Sequence, residues 1–248
     1  MGSKVIGLTT VDGLRLDARW HEGGGDRAVV LAHGLTVDLD ENGLFEPLAE
    51  KLVARGLSVL RFSFRGHGAS DGIDTESTIA GERMDLRAAV DWVGRPVALL
   101  GSSFGAVSVS LSLAELGDTV RSVVLWQPVL DLRRTFLSPE LPRGRVLYRG
   151  WNRGTLDIEG RFRLGTALYG ELGTVDPLTA FLLSTPPALV VHGDADSLVS
   201  HEIARETAQL RPGTDWHSVP GAEHGFLEPA AAADVVDVTA RWLASGTP

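Results

Sequence analysis

Val97-Ala98-Leu99-Leu100-Gly101-Ser102-Ser103-Phe104-Gly105-Ala106-Val107 runs from an apolar segment through a pair of serines flanked by glycine into a helix-forming stretch that continues to Leu116. Read in order, this is strand, tight turn, helix. A serine alcohol is a weak nucleophile, so it has to stand exposed on a sharp turn within reach of a base. Glycines two residues to either side remove side chains that would strike the neighbouring elements. Ser103 has glycine at both of those positions and Ser102 does not, which makes Ser103 the candidate nucleophile. The plainer alternative is a solvated serine on a glycine-rich turn, and the buried strand before it argues against that.

Outward from this turn, short β-branched or leucine-rich runs recur at Val5 to Thr10, Leu14 to Trp20, Ala28 to Ala32, Leu57 to Phe62, Val97 to Leu100, Val120 to Trp126, Ala188 to His192 and Asp215 to Val219. The first two alternate apolar and polar residues, as a half-exposed antiparallel pair does. The later ones are nearly continuous apolar runs, as expected of parallel strands covered on both faces. Between them lie helical patterns at Phe45 to Arg55, Ser77 to Trp92, Phe104 to Leu116, His201 to Leu210 and Ala230 to Leu243. The alternation predicts an α/β fold, a mostly parallel eight-stranded sheet with helices on both faces and reactive groups at the carboxyl ends of the strands.

Two of those strand ends carry the residues a serine nucleophile needs. The run Ala188 to His192 ends in His192-Gly193-Asp194-Ala195-Asp196-Ser197-Leu198-Val199, and by composition either aspartate can orient an imidazole. The last strand leads into Pro220-Gly221-Ala222-Glu223-His224-Gly225-Phe226, where His224 can hang over Ser103 as general base. The chain order of serine, acid and histidine is the order expected for a nucleophile on such a turn. A tetrahedral oxyanion also needs two fixed donors. The backbone amide of Phe104 is one candidate, and that of Leu35, in Ala32-His33-Gly34-Leu35-Thr36 after the third strand, is the other. His33 is read as a histidine that holds this loop, since one base suffices.

Composition narrows the classes of function. A net charge of −9 gives no basic surface for nucleic acid or anionic membrane. The absence of cysteine excludes disulfides, thiolate metal sites and cysteine nucleophiles. Apolar runs fall far short of the ~20 residues that span a bilayer. The N-terminus lacks the apolar core of a secretory signal, so a cytoplasmic enzyme is the expectation.

These segments together resemble bacterial α/β-hydrolases of the carboxylesterase type, especially the cinnamoyl and feruloyl esterase-like group. The matching stretches are His33-Gly34-Leu35-Thr36 with Asp40-Glu41-Asn42-Gly43-Leu44-Phe45, then Phe62-Ser63-Phe64-Arg65-Gly66-His67-Gly68-Ala69-Ser70-Asp71-Gly72, and the segments around Ser103, Asp196 and His224. The resemblance selects Asp196 over Asp194 through the spacing His-Gly-x-x-Asp-x-x-Val, and leaves Asp194 to cap its loop. It casts Arg65, His67 and Ser70 as loop-bracing residues. It also implies a small lid after the sixth strand, here residues 131–177, set between core segments 1–130 and 178–248. The chain departs from the pattern at Leu35, where phenylalanine is common, and at Ser102-Ser103-Phe104, which replaces a His-Ser-polar core.

The function expected on this basis is hydrolysis of small-molecule carboxylic esters through an acyl-enzyme, with no metal or organic cofactor. The same three residues serve a thioesterase or a peptidase, and a noncatalytic binding member of the fold is the remaining alternative. The expected partner is a small ester, with no nucleic acid and no membrane, and a homodimer is allowed. Between Asp131 and Arg163 eight arginines face four acids, alongside Tyr148, Trp151 and Phe162. The plain reading of the arginines is a solvated surface. The sharper one is that some of them, with those three aromatics as the candidates to line the substrate pocket, favour aromatic or anionic esters.

Overall fold

The computed structural model describes residues 2–246. Its main sheet contains β1 (Lys4–Thr9), β2 (Arg15–His21), β3 (Ala28–Ala32), β4 (Ser58–Phe62), β5 (Val97–Ser102), β6 (Val120–Trp126), β9 (Ala188–Gly193) and β10 (Thr214–Val219). Their spatial order is β1-β2-β4-β3-β5-β6-β9-β10. β2 pairs antiparallel with both β1 and β4, and every other pairing is parallel. The eight strands match the expected runs to within one or two residues at each end.

Burial explains the sequence patterns. β3 and β5 are buried at every position, whereas β1 is mostly exposed. Along the central strands alternate residues enter opposite cores, as the two-residue period of a strand requires. Val30, Leu99, Val123 and Val190 join a cluster with Leu86, Val109 and Phe181 on one face. Val29, Leu31, Leu100, Val124 and Val191 join Leu48, Leu52, Val235 and Leu243 on the other. The first face is therefore covered by α2 (Ile79–Val93), α3 (Gly105–Leu116), α6 (Pro177–Leu183) and α7 (His201–Leu210), and the second by α1 (Phe45–Val53) and α8 (Pro229–Ala244). Among the described residues no helix is long and apolar enough to cross a membrane.

The stretch between β6 and α6 holds more structure than its sequence pattern announces. A π-helical turn (Arg133–Leu137), α4 (Pro142–Leu147) and α5 (Thr166–Glu171) surround a hairpin of β7 (Leu156–Ile158) and β8 (Phe162–Leu164). Glu159 and Gly160 stand at the hairpin's tip in left-handed conformation. α4 and α5 span six residues each, too short for an apolar period to stand out. α6 carries a readable start signal, an Asp176 side chain accepting from the Thr179 amide and proline at the first helical position. Phe181 on that helix is fully buried in the first core, so the chain has rejoined the main body by Pro177.

Candidate active site

At the carboxyl end of β5, Ser103 adopts φ +49, a left-handed conformation costly for a residue with a side chain. Both sides of it are pinned. Its amide donates to the Trp126 carbonyl at 2.8 Å, and its carbonyl accepts from the Val129 amide at 3.0 Å. The flanking glycines are dictated by contact. A Cβ on Gly105 would sit 2.4 Å from the His33 carbonyl oxygen, and one on Gly101 would sit 2.8 Å from the Ala106 Cα.

Ser103 Oγ lies 3.0 Å from His224 Nε2, and His224 Nδ1 lies 2.7 Å from Asp196 Oδ2. The second Asp196 oxygen, Oδ1, accepts from the amides of Leu198 and Val199, each at 2.8 Å. Burial opposes ionisation of Asp196, but the adjacent His224 and the hydrogen bonds to its carboxylate outweigh that and hold it below the usual aspartate range. With a carboxylate on Nδ1, His224 carries its proton there and turns a lone pair on Nε2 toward the serine. Asp194 sits elsewhere, accepting from the Gly221 amide at 2.6 Å, which is a loop cap.

The loop after β3 closes the other side. His33 is fully buried. Its Nδ1 donates to the Gly34 carbonyl at 2.7 Å, and its Nε2 accepts from the Phe64 amide at 2.9 Å. Burial pushes its pKa well below the ordinary histidine value, so it stays neutral. Among the described residues the amides of Leu35 and Phe104 have no protein acceptor. Arg65 is bound to Asp85 and Asp12, His67 donates to the Arg65 carbonyl, and Ser70 donates to the Ser63 carbonyl. These three brace the neighbouring loop and do not approach Ser103.

A cavity of about 130 Å³ opens over Ser103 and His224. Tyr148 lines it, together with Leu35, Ile158, Arg143 and Arg161. Trp151 does not. It is 1% exposed, donates its indole N–H to the Gly165 carbonyl at 3.1 Å and packs behind the cavity against Phe136 and Tyr169. Its large apolar ring and single donor are both satisfied inside the segment, which corrects its assignment to the pocket. Phe162 stacks on His67 at 4.2 Å and faces an adjoining groove of about 710 Å³. That groove shares Thr36, Val37, Asn42 and Arg161 with the cavity over Ser103.

Three further residues fix the site. Glu223 Oε1 accepts from the amides of Ser197 and His224 and from the Ser197 hydroxyl, tying the Asp196 loop to the His224 loop. The Gln127 side chain accepts from the Gly225 amide at 3.0 Å. Glu41, 3% exposed, accepts from the Gly34 amide at 2.6 Å and from the Ser102 hydroxyl at 3.0 Å. Burial pushes its pKa up to about 7, against the pull of those two hydrogen bonds. Glu223 stands beside His224 in sequence, a signal that could have found it. Glu41 and Gln127 act across 61 and 98 residues of chain, where no local pattern points.

A model of the alpha/beta hydrolase family matches residues 29–238. An uncharacterized protein of Mycobacterium tuberculosis is 34% identical, covering 98% of this chain and 79% of that protein. The 2-(acetamidomethylene)succinate hydrolase of Mesorhizobium japonicum is 26% identical over 86% of this chain and 87% of that protein. Among solved structures, Est1E from Butyrivibrio proteoclasticus with bound ferulic acid superposes with a TM-score of 0.82 at 21% identity, covering 96% of this chain and 98% of that one. At that identity the likeness is one of fold.

Proposed function

Since the chain belongs to the α/β-hydrolase family, we propose that it is a serine hydrolase that cleaves carboxylic esters of small molecules through an acyl-enzyme. The observation that carries this reading is the unbroken hydrogen-bonded line from Ser103 Oγ through His224 to Asp196. His224 takes the serine proton as Oγ attacks the ester carbonyl, and Asp196 stabilises the imidazolium that forms. The amides of Leu35 and Phe104 receive the oxyanion. As the tetrahedral intermediate collapses, His224 returns the proton to the leaving alcohol. Water, deprotonated by the same histidine, then attacks the acyl carbon and frees the acid and Ser103.

In this reading residues 131–177 act as a lid that chooses the substrate. Tyr148 supplies an apolar wall. Arg143 and Arg161, from α4 and the hairpin tip, supply positive charge beside the reacting serine. Their planar forks suit a carboxylate on the substrate. The relative named for a succinate derivative is consistent with that preference.

The test is turnover of p-nitrophenyl acetate, p-nitrophenyl butyrate and a p-nitrophenyl succinate monoester by the wild type and by Ser103→Ala. We expect Ser103→Ala to lose at least about 10³-fold in kcat/KM with its thermal melt intact. Retention of more than about a tenth of the rate would assign the nucleophile to another residue.

A further inference from the structure

We propose that Glu41 is a positioning residue, a buried clamp that sets the spacing between the two oxyanion donors by holding the Gly34 amide with one carboxyl oxygen and the Ser102 hydroxyl with the other. The inference rests on the reading of Ser103 as nucleophile and goes beyond it.

Glu41 sits in a 3-10 turn (Glu41–Gly43) where it and Asn42 both have positive φ, +44 and +55. Two successive left-handed residues with side chains are an uncommon arrangement, held only where the surroundings over-determine it. Its carboxyl group is almost fully buried, and among the described residues no ion pair reaches it. Burying a carboxyl group without a cation is costly. What offsets that cost is the pair of buried donors the glutamate satisfies, which an apolar side chain would leave unpaired.

One donor is the amide of Gly34, at 2.6 Å from Oε2. The carbonyl of the same residue accepts from His33 Nδ1 at 2.7 Å. Glu41 thus fixes the peptide plane before Gly34, and His33 fixes the plane after it. The second plane contains the Leu35 N–H, which points opposite to the Gly34 carbonyl because the peptide is planar and trans. With both planes held, the Leu35 amide has one direction. The other donor is the hydroxyl of Ser102, at 3.0 Å from Oε1, on the residue directly before the nucleophile. A single side chain therefore joins the loop that carries one oxyanion donor to the turn that carries Ser103 and the second donor, Phe104. Contact is close on both sides of Gly34, where a Cβ would meet Ser103 Cβ at 3.2 Å and each Glu41 oxygen at 3.6 Å. Ser102 stands where the resembled family carries histidine, so this pairing of serine with glutamate is a feature of this chain.

The clamp works in either protonation state. As a carboxylate Glu41 accepts both bonds. As a carboxylic acid it accepts from Gly34 and donates to Ser102 Oγ. Glutamine has the same reach, its carbonyl oxygen accepting from Gly34 and its amide donating to Ser102, whereas leucine fills the space and makes neither bond.

The experiment compares Glu41→Gln and Glu41→Leu with the wild type on p-nitrophenyl butyrate, after fluorophosphonate labelling and intact mass have established that the wild type reacts at Ser103. We expect Glu41→Leu to lose about 100-fold in kcat, since misplacing one oxyanion donor costs that order. KM should stay within about threefold, because the oxyanion exists only in the transition state. We expect Glu41→Gln to recover kcat to within about fivefold of the wild type. The proposal is overturned if Glu41→Leu keeps kcat within about threefold, if its loss appears in KM, or if Glu41→Gln falls as far as Glu41→Leu. Should Glu41→Leu fail to fold, Ser102→Ala cuts one arm of the clamp alone and is expected to lower kcat about tenfold, no loss overturning the proposal. A wild type that takes no adduct on Ser103 would remove the reading beneath the proposal, and is told apart from these outcomes because no variant is then needed to see it.

Discussion

The loops that converge on Ser103 and the segment that arches over them are held by different forces. In the loops, buried polar groups are matched donor to acceptor: Asp196 with two amides and His224, Glu41 with Gly34 and Ser102, Glu223 with Ser197 and the His224 amide. In the arching segment an aromatic cluster of Phe136, Tyr148, Trp151 and Tyr169 does the packing, and exposed ion pairs such as Arg134 with Glu140 lie outside it. Buried hydrogen-bonded groups are directional and expensive to leave unmade, while apolar contacts tolerate sliding and exposed pairs contribute little. The first region is built to hold atoms at fixed distances, and the second to present a surface that can vary.

The largest effect that would break this contrast lies in the acid loop. Asp196→Asn should lower kcat by about 10³- to 10⁴-fold, because the amide favours the wrong tautomer of His224. Asp194→Asn, two residues away, should change it by less than about threefold, since that side chain only caps Gly221. Steady-state kinetics on one neutral ester decides between them, and equal losses would mean that the loop as a whole, not one carboxylate, supports the histidine.

A smaller effect is expected in the arch. Arg143→Ala and Arg161→Ala should each reduce kcat/KM for a p-nitrophenyl succinate monoester about tenfold relative to p-nitrophenyl butyrate. Arg134→Ala, whose guanidinium is already paired with Glu140, should leave that ratio unchanged. High salt should compress the difference in the wild type. If all three variants kept the wild-type ratio, selection would have to lie in the strand-end loops.

The smallest effect concerns stability and pH. Glu82, buried on α2 and hydrogen-bonded by Ser108, has its pKa pushed up to about 8 by burial, against the pull of that bond. Its folded pKa lies above the unfolded value of ~4.3, so the folded state retains a proton that the unfolded chain releases. The stability it contributes is complete below the unfolded pKa and is lost as pH rises through about 8. Glu41, pushed up to about 7, acts in the same sense over a narrower window. Melting temperatures of Glu82→Gln and wild type should therefore diverge in favour of the variant between pH 5 and pH 8, with a gap that is flat or reversed counting against the burial argument. Arg134→Ala should show no such divergence.

How much of this was legible in the sequence follows the same division. The central strands could be read because strands covered on both faces are continuous apolar runs. Ser103 and Asp196 could be read because each lies just past such a run, and His224 because it follows the last strand, which is partly exposed, among glycines that mark a turn. Glu41 looks like an ordinary surface acid at the start of a helix, and only the approach of β5 across 61 residues makes it a buried acceptor. In the arch, Tyr148 and Trp151 are both aromatics among arginines. Which of them faces the cavity depends on the rotation of α4 and the turn after it, and no period in so short a stretch records that rotation. The inward and outward faces of that segment came only from packing.

Whether Ser103 is a nucleophile activated by His224 is decided by fluorophosphonate labelling read by intact mass and peptide mapping. One adduct per chain is expected in the wild type, located on Ser103, absent from Ser103→Ala and strongly slowed in His224→Ala. A native wild type that takes no adduct, or takes it at another residue, would contradict that role.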